Sequence, residues 1–310
     1  MRIAVIGASG FLGSTVASEF RNGESTVHEL RALRISATCR SSHEVMSVVE
    51  SLADRVRDLG ALLRGVDVVV NAAGNPDASS RSLAELSGPN SVLPLLILRA
   101  AETAGCARLI HISSAVVQGD AAVLDASDAV HPLTPYGVSK ALGEQAIKVP
   151  SDCEVVIYRP PSVHHESRRV SRQLSRLASS RLSIVAAPGS DPTPQALVQN
   201  VASAIVFMAH HRVIPSVVHH PWEGLTTESL LRCLGSRRPL LLPRPIAKAL
   251  IRGLKLLGKV HPSVIASARR VEIVLVGQQQ APSWLTAEGW SAPAGAVDWK
   301  RLGEHIRTIE

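Results

Sequence analysis

The chain has 310 residues, of which 45% are hydrophobic and 19% charged, the balance of a globular protein with a large buried core. No apolar run approaches the roughly 20 residues that a membrane-spanning helix needs. The four cysteines are far apart and include no C-x-x-C pair, so they indicate neither a metal site nor a disulfide framework. The first apolar run begins at residue 3 and leaves no room for a signal peptide, so we expect a cytoplasmic protein.

The net charge of +7 is concentrated in the second half of the chain. Residues 1–155 contain 13 Lys/Arg and 17 Asp/Glu, whereas residues 156–310 contain 20 and 9. This excess favours an anionic partner for the second half, although a charged surface that only keeps the protein in solution accounts for it equally well. Aromatic residues are only 3% of the chain and no nucleic-acid-binding motif is present. We therefore expect a phosphorylated small molecule and no nucleic acid.

The first 160 residues alternate short apolar runs with helical patterns, as βαβ units do. Strands are predicted at residues 3–6, 27–33, 66–70, 109–112 and 155–158. Helices are predicted at residues 11–21, 90–103 and 135–147, whereas residues 34–58 have no clear pattern. Parallel strands joined by helices predict an α/β fold with a Rossmann-type doubly wound sheet, whose ligands bind at the carboxyl ends of the strands.

The pattern becomes looser after residue 160. We expect residues 1–160 to form a dinucleotide-binding domain, with a returning segment near 190–215, and residues 161–310 to form mainly a smaller, mixed α/β substrate lobe. This second part contains a basic segment between residues 168 and 181 and an amphipathic helix near 194–210. Residues 246–257 form a cationic helical stretch that either lies on a membrane surface or packs on the fold with its lysines extended into water. We favour the packing helix.

A glycine fingerprint follows the first predicted strand, with Gly7, Gly10 and Gly13 spaced three residues apart. Gly7 lets the chain turn sharply, Gly10 lets the backbone approach a pyrophosphate, and Gly13 lets the following helix pack close to the sheet. The N-terminus of that helix offers free N–H groups and a positive dipole end to phosphates. The pattern predicts dinucleotide binding by the turn, which comprises Gly7, Ser9, Gly10, Phe11, Leu12 and Gly13.

A second motif, Tyr136-Gly137-Val138-Ser139-Lys140, lies on the helix predicted at residues 135–147. Positions four residues apart share one side of a helix, so the phenol of Tyr136 and the ammonium of Lys140 face the same site. A neighbouring ammonium favours tyrosinate and lowers the phenol pKa, which makes Tyr136 a usable acid and base near neutral pH. Ser113 and Ser114 follow another predicted strand, at the same edge of the sheet.

Together these motifs resemble the extended branch of the short-chain dehydrogenase/reductase superfamily, the NAD(P)-dependent nucleotide-sugar epimerase/dehydratase-like proteins. The likeness is carried by residues 7–13, Asn71-Ala72-Ala73-Gly74, residues 111–119, residues 136–140 with Glu144, and Tyr158-Arg159-Pro160. A weaker likeness lies in residues 285–290.

The resemblance implies a role for each matching residue. Tyr136 would exchange a proton with the substrate oxygen, Ser114 (with Ser113 as the alternative) would hydrogen-bond that oxygen, and Lys140 would bind the nicotinamide ribose. The cofactor channel would be lined by Ala72, Ala73, Gly74 and Pro160. The resemblance also implies a homodimer built on helices at about residues 90–104 and 135–147.

Departures from the family pattern limit the types of reaction that we expect. The 4,6-dehydratases of the family have Asp-Glu directly after the Ser/Thr, where this chain has Ala115 and Val116. We therefore expect an epimerase or ketoreductase that transfers hydride at a hydroxyl or ketone carbon, in a sugar linked to a diphosphate. Two alternatives stay open: an NADPH-dependent ketoreductase of a lipid, steroid or polyketide, and a dinucleotide-binding redox sensor without catalysis.

The end of the second strand decides between NAD and NADP. An acidic residue there binds the adenosine ribose hydroxyls of NAD, whereas an arginine pairs with the 2′-phosphate of NADP. The predicted strand leads to Arg34, which favours NADP slightly and makes Arg34 a candidate cofactor-binding residue. The three pairs of adjacent histidines lack a clustered carboxylate or cysteine, so we expect no metal site.

Overall fold

The computed structural model describes residues 1–23, 25–77, 80, 82–260 and 263–309, with only the backbone of residues 258–260 and 263–266. The chain divides into two compact units. The first comprises Met1–Gly119, Ala126–Pro160 and Ala202–His219. The second comprises Asp120–Asp125, Pro161–Val201 and His220–Glu310.

The strands and helices have the following bounds. The strands are β1 (Arg2–Ile6), β2 (Thr26–Leu30), β3 (Val68–Asn71), β4 (Arg108–Ile112), β5 (Val123–Leu124), β6 (Glu154–Arg159), β7 (Ser162–His164), β8 (Ile184–Ala186), β9 (Gln195–Leu197), β10 (Val217–His219), β11 (Leu240–Leu242) and β12 (Gln279–Gln280). The helices are α1 (Phe11–Asn22), α2 (Ser42–Ser51), α3 (Ala53–Leu62), α4 (Leu83–Ser87), α5 (Leu93–Ala104), α6 (Pro135–Ile147), α7 (Arg169–Ser179), α8 (Val198–His210), α9 (Thr227–Leu234), α10 (Arg244–Val260), α11 (Ser263–Val276), α12 (Trp284–Ala287) and α13 (Ala296–Ile309). A π-helical turn at Gly88–Val92 precedes α5, and a 3-10 turn spans Ala115–Gln118.

The first unit is built on a six-stranded sheet with the strand order β10-β6-β4-β3-β1-β2. All five pairings are parallel, so the predicted Rossmann-type doubly wound fold is confirmed. The chain runs from β1 outward to the edge strand β2 and then crosses back to β3 on the other side of β1. In such sheets a ligand binds in the crevice where the strand order reverses. The carboxyl ends of β1 and β3 mark that place here.

The central strands of the sheet are mostly apolar and are buried on both faces. All four residues of β3 and all five of β4 are buried, as is typical of strands covered by helices on both sides. Most of α5 is also buried, including Leu95, Leu96 and Ile97. These residues join one core cluster with side chains from β1, β3, α2 and α3. The core therefore fixes the strand ends that carry the motifs.

Several predicted elements needed correction. The second strand ends at Leu30 and not at residue 33, because it pairs only as far as its partner β1, whose last residue Ile6 lies opposite Leu30. The unassigned residues 34–58 contain α2 and most of α3. The helix predicted near 194–210 begins at Val198, because residues 195–197 pair as β9 with β7. The helix predicted at 90–103 opens with the π-helical turn.

The second unit has small sheets and a helical core of its own. Its strands form three parallel pairs, β5 with β12, β7 with β9 and β8 with β11. Trp299 of α13 is fully buried among leucines of α9, including Leu230, Leu231 and Leu234. Glu223 supports this core, because its carboxylate accepts hydrogen bonds from Trp299 Nε1 at 3.3 Å and from the Leu197 amide at 3.3 Å. The unit is a mixed α/β structure.

Candidate active site

The glycine turn after β1 is closely packed against the neighbouring strands. Gly7 has φ +88°, a left-handed conformation that favours glycine, and its N–H donates to the Leu30 carbonyl at 2.8 Å. A Cβ at position 7 would lie 2.8 Å from Ala73 Cα, and a Cβ at position 13 would lie 2.2 Å from the Gly7 carbonyl oxygen. Side chains at positions 7 and 13 are therefore excluded by the path of the backbone.

The N-terminus of α1 has no side-chain cap. Gly10 is the N-cap residue, no side chain caps the helix, and its first turn contains no acidic residue. Ser9 and Gly10 are exposed, Phe11 is half-buried, and Leu12 and Gly13 are buried. Such a helix start attracts an anion through its N–H groups and dipole. The turn therefore fits a dinucleotide pyrophosphate.

A cleft of about 450 Å³ lies beside the end of β2. It is lined by residues 32–36 after that strand, by Gly74 after β3, and by Ala84, Glu85, Pro89 and Leu93. Arg34 thus lines the cleft but does not follow β2 directly. Arg31 is the first residue past the strand and is exposed. No acidic residue lies between Leu30 and Ser36, so the strand end is basic.

Lys140 lies beside the loop after β3. Its Nζ donates to the Ile112 carbonyl at the end of β4, at 3.0 Å. A Cβ at Gly74 would lie 3.3 Å from Lys140 Nζ and 2.8 Å from Asn90 Oδ1, so both polar groups border the same loop. Ala72 is half-buried and Ala73 is buried at that strand end. The structure brings Lys140, Gly74 and the end of β4 together.

Burial changes the chemistry of the Lys140 ammonium. The side chain is only 5% exposed, and loss of hydration lowers its pKa from 10.5 to about 8, while the negative charge of Glu144 acts in the opposite direction. Desolvation disfavours the charged form of any buried amine. Lys140 therefore keeps a proton near neutral pH and loses it more easily than a surface lysine.

Tyr136 and Ser114 lie on adjacent segments. Tyr136 is half-buried in the first turn of α6, a helix that Thr134 caps by accepting the Gly137 amide hydrogen bond at 3.1 Å. Ser114 caps the 3-10 turn, where its Oγ accepts the Val116 amide hydrogen bond at 3.3 Å. A Cβ at Gly137 would lie 3.3 Å from the Val116 carbonyl oxygen. The two segments are therefore in contact at the residues next to Tyr136 and Ser114.

The structure also shows the surroundings of two further candidate residues, Ser113 and Pro160. Ser113 is buried, and its hydroxyl donates to the Glu144 carboxylate, so it is already used within the fold. The Pro160 carbonyl accepts the Ala115 amide hydrogen bond at 2.9 Å, which ties the end of β6 to the turn after Ser114. The geometry thus favours Ser114 over Ser113 as the hydroxyl that a substrate can reach.

Comparison with known proteins identifies the family. Residues 3–219 match the NAD dependent epimerase/dehydratase family. The chain belongs to this family. It is therefore an enzyme of the NAD dependent epimerase/dehydratase family, as the motifs of the first 160 residues predicted. No curated protein matches the chain.

Solved structures share its fold. MoeE5 in complex with UDP-glucose and NAD is 20% identical, with a TM-score of 0.65 and full coverage of both chains. UDP-glucuronic acid 4-epimerase from Bacillus cereus, in complex with UDP-glucuronic acid and NAD, is 18% identical, with a TM-score of 0.64 over both complete chains. dTDP-4-dehydrorhamnose reductase from Bacillus anthracis, in complex with NADP, is 18% identical, with a TM-score of 0.62, and the match covers 100% of this chain and 99% of that chain. These likenesses show the fold.

Sequence reasoning missed Asn90, which joins three segments of this family member. Asn90 is buried in the π-helical turn, and its Oδ1 accepts the Asn75 amide hydrogen bond at 2.9 Å. Its Nδ2 donates to Ser139 Oγ at 3.0 Å and to the Asn75 carbonyl at 3.1 Å. The sequence signal was weak: an asparagine after a proline, at the start of a predicted helix.

A buried ion pair was also missed, although its residues belong to the stretches that carry the family likeness. The Arg159 guanidinium binds the Glu144 carboxylate through two hydrogen bonds of 3.0 and 2.6 Å, with both side chains almost fully buried. Arg159 also donates to the Ser127 carbonyl at 2.7 Å. This pair links α6 to the end of β6 and so holds the helix that carries Tyr136 and Lys140.

His111 and Asn71 form a second buried contact below the strand ends. The Ala73 amide donates to Asn71 Oδ1 at 3.1 Å, so Asn71 Nδ2 faces His111 Nδ1 at 3.0 Å and donates to it. Burial and the nearby Lys140 hold the pKa of His111 well below its usual value. The imidazole is therefore neutral. Among the described residues no group of three His, Cys, Asp or Glu side chains could hold a metal ion.

Proposed function

We propose that this enzyme transfers hydride at a hydroxyl or ketone carbon of a sugar linked to a nucleoside diphosphate, as an epimerase or a ketoreductase. The observation that carries the proposal is the position of Lys140. Its buried ammonium lies four residues after Tyr136 on α6, beside Gly74 and the end of β4. A tyrosine next to a buried ammonium is suited to exchange a proton near neutral pH.

Each side chain has one task in this proposal. Tyr136 takes the proton of the substrate hydroxyl during oxidation and returns it during reduction, while Ser114 hydrogen-bonds the same oxygen. Lys140 favours the tyrosinate and hydrogen-bonds the nicotinamide ribose. A bound nicotinamide ring supplies the acceptor or donor of hydride. The uncapped start of α1 holds the pyrophosphate.

The nucleotide-linked substrate is supported by two observations. Two solved structures of the same fold contain UDP-glucose or UDP-glucuronic acid together with NAD, and α7 in the second unit carries Arg169, Arg172 and Arg176 without an acidic residue. Arginine is well suited to bind a diphosphate. The turn after Ser114 has Ala115 and Val116 in place of an acid and a base, which argues against a 4,6-dehydratase.

Replacement of Tyr136 tests the proposal. We expect Tyr136→Phe to lower kcat by about 10³-fold, the usual worth of a general acid and base, with the Kd for the cofactor unchanged. Tyr158, the other tyrosine of the chain, is fully buried in β6, and Tyr158→Phe is the matched control that should keep most of the activity. Substantial turnover by Tyr136→Phe contradicts the assigned role. Cofactor binding by the unaltered protein without turnover of any carbonyl substrate would favour the redox sensor.

A second measurement separates the sugar nucleotide from other ketones. We expect uridine or thymidine diphosphate to inhibit NADPH oxidation competitively with the substrate, because the diphosphate is part of what the site binds. Lack of inhibition together with turnover of an apolar ketone would favour the lipid, steroid or polyketide substrate.

The cofactor preference is proposed to be NADP. Leu30 at the end of β2 accepts the Gly7 amide hydrogen bond, so Arg31 follows directly beside the glycine turn, and Arg34 lines the neighbouring cleft. A guanidinium pairs with the 2′-phosphate that only NADP carries. We expect Arg31→Asp to lower the kcat/KM ratio of NADP to NAD by about tenfold or more, and Arg34→Asp to have a smaller effect. Preference of the unaltered enzyme for NAD contradicts this assignment.

A further inference from the structure

Helix α10 of the second unit has three faces, and the core covers only one of them. Ala247 and Ile251 are buried in a cluster with Ala186 of β8 and Leu275 of α11. Residues four apart lie on the same side of a helix, so this pair defines the packed face. The remaining two faces point away from the cluster, and their side chains have different chemistry.

The second face is an exposed apolar stripe formed by Ile246, Leu250 and Leu257. These positions are four and seven residues apart, so they lie on one side of the helix over a length of about 16 Å. Their exposed fractions are 51%, 48% and 55%. A row of half-exposed apolar side chains on one helix face marks an interaction surface.

The third face is a basic flank that consists of Lys248 and Arg252. Both side chains are exposed, and neither forms an ion pair with any residue that the structure describes. Arg244 and Lys255 lie on the same side but pair with Asp191 and Glu272. Residues 229–271 contain ten Lys or Arg and no Asp or Glu. Around the helix, Leu256, with an exposed fraction of 61%, lies between Arg252 and the stripe, so unneutralised positive charge flanks one side of a continuous exposed apolar surface.

We propose that α10 docks this enzyme on the surface of an anionic phospholipid bilayer. An amphipathic helix with a basic face lies in the plane of a membrane, its apolar side chains in the boundary between headgroups and acyl chains. Lys248 and Arg252 contact the phosphates of the headgroups, whose negative potential attracts them. No helix in the described ranges is long and apolar enough to cross a membrane, so the attachment is peripheral. The proposal does not depend on the proposed reaction.

Charge argues for a bilayer and against a second copy of this chain as the occupant. Symmetric contact between two copies places the same patch on both sides of the interface. If the two copies of α10 pack antiparallel, both basic flanks lie on the same side of the interface without acidic residues between them, and like charges close together are unfavourable. An anionic membrane offers both an apolar layer and negative charge, which are the two properties that the stripe and the flank require.

Vesicle sedimentation with the full-length protein tests the proposal. We expect binding to vesicles of phosphatidylglycerol and phosphatidylcholine, little binding to phosphatidylcholine alone, and release by high salt. Each cation near an anionic surface is worth about fivefold in binding, so Lys248→Glu/Arg252→Glu should weaken binding by at least about 25-fold. Lys300→Glu/Arg301→Glu on α13 changes two exposed side chains and the net charge by the same amount, and should bind as the unaltered protein does.

A second pair of substitutions tests the contribution of the apolar stripe to vesicle binding. Leu250→Ser/Leu257→Ser should weaken vesicle binding by about tenfold, because less apolar surface leaves water, whereas Val213→Ser/Val297→Ser at two other exposed positions should not. Unchanged thermal midpoints establish that the variants are folded. Equal binding to neutral vesicles, no vesicle binding at all, or a solution dimer that the Leu250→Ser/Leu257→Ser variant converts to a monomer each overturns the proposal.

Discussion

Lys140 and Glu144 are buried one helical turn apart on α6, but their charges are compensated differently. Glu144 is bound by Arg159 and Ser113, so its negative charge is paired within the fold. Lys140 forms no ion pair with a described residue and donates to the Ile112 carbonyl. A buried charge with one neutral acceptor is costly. Under the proposed function, the ribose hydroxyls of the cofactor supply the missing acceptors.

The lowered pKa of Lys140 predicts how stability depends on pH without cofactor. Between pH 8 and 10.5 the folded state has released the Lys140 proton while the unfolded chain still holds it, so the free energy of unfolding rises with pH. Across this range the free energy of unfolding of the unaltered protein should rise by up to about 3 kcal/mol relative to that of Lys140→Met. Urea unfolding at successive pH values measures the difference, with Lys148→Met at the end of the same helix as control. A constant difference across the range contradicts the lowered pKa.

At the scale of elements, the glycine turn and the second strand show what local sequence can and cannot specify. The positive φ of Gly7 and the close approach of Gly13 to the Gly7 carbonyl are local features of residues 7–13, so the glycine spacing predicted the turn correctly. The end of β2 depends on β1, a strand of five residues that offers no pairing partner beyond Ile6. Leu33 continues the apolar pattern but packs against the core without joining the sheet. Arg31 thus follows the strand directly, whereas Arg34 lines the neighbouring cleft, and its role in cofactor binding stays a prediction.

The close contact of α1 with the glycine turn gives the element-scale prediction. Gly13→Ala would place a Cβ 2.2 Å from the Gly7 carbonyl oxygen, so the helix must shift, and overpacking of this kind costs about 1–3 kcal/mol of stability. We also expect weaker cofactor binding, because α1 starts at the proposed pyrophosphate site. Gly23→Ala after the other end of α1 meets its nearest atom at 3.7 Å and is the matched control. Equal urea midpoints and equal cofactor Kd values for the two variants would contradict the steric argument.

At the scale of the whole molecule, tertiary packing changes the pKa of a buried histidine. His164 of β7 is buried in the second unit, where Ser171 Oγ lies 3.0 Å from its Nδ1 and Gln195 Oε1 lies 2.8 Å from its Nε2. Burial lowers its pKa to about 4, although the hydrogen bond to Gln195 acts in the opposite direction. His164 belongs to one of the three pairs of adjacent histidines in the sequence, and its hydrogen bond to Gln195 joins β7 to β9.

His164 predicts a loss of stability in acid. Between pH 6.5 and 4 the unfolded chain binds a proton that the folded imidazole does not, so the free energy of unfolding falls as the pH falls through this range. From pH 6.5 to 4, we expect the free energy of unfolding of the unaltered protein to fall by up to about 3 kcal/mol more than that of His164→Gln. Chemical denaturation at each pH checks this, with His165→Gln as the neighbouring control. Parallel curves for His164→Gln and the unaltered protein would rule out the role of His164.

The sequence by itself determined the Rossmann-type fold, the family and the proposed catalytic residues. These features depend on local rules: apolar runs of strand length, glycine spacing at a turn, and side chains four residues apart on a helix. Gly7 and the pair Tyr136 and Lys140 follow from these rules, and the resemblance to the family added Ser114. Buried partners distant in the chain do not, because a residue such as Asn90 gains its contacts only when α6 packs against the π-helical turn.

Only the tertiary structure decided where strands end, which polar groups are buried together, and which apolar side chains remain uncovered. The periodicity of α10 is the same whether its faces are buried or exposed, so the sequence, from which we favoured a packing helix, did not exclude a membrane-surface helix. The fold covers Ala247 and Ile251 and leaves Leu250 and Leu257 in water. The physical reason is that burial depends on the position of β8 and α11, which the sequence of α10 does not contain.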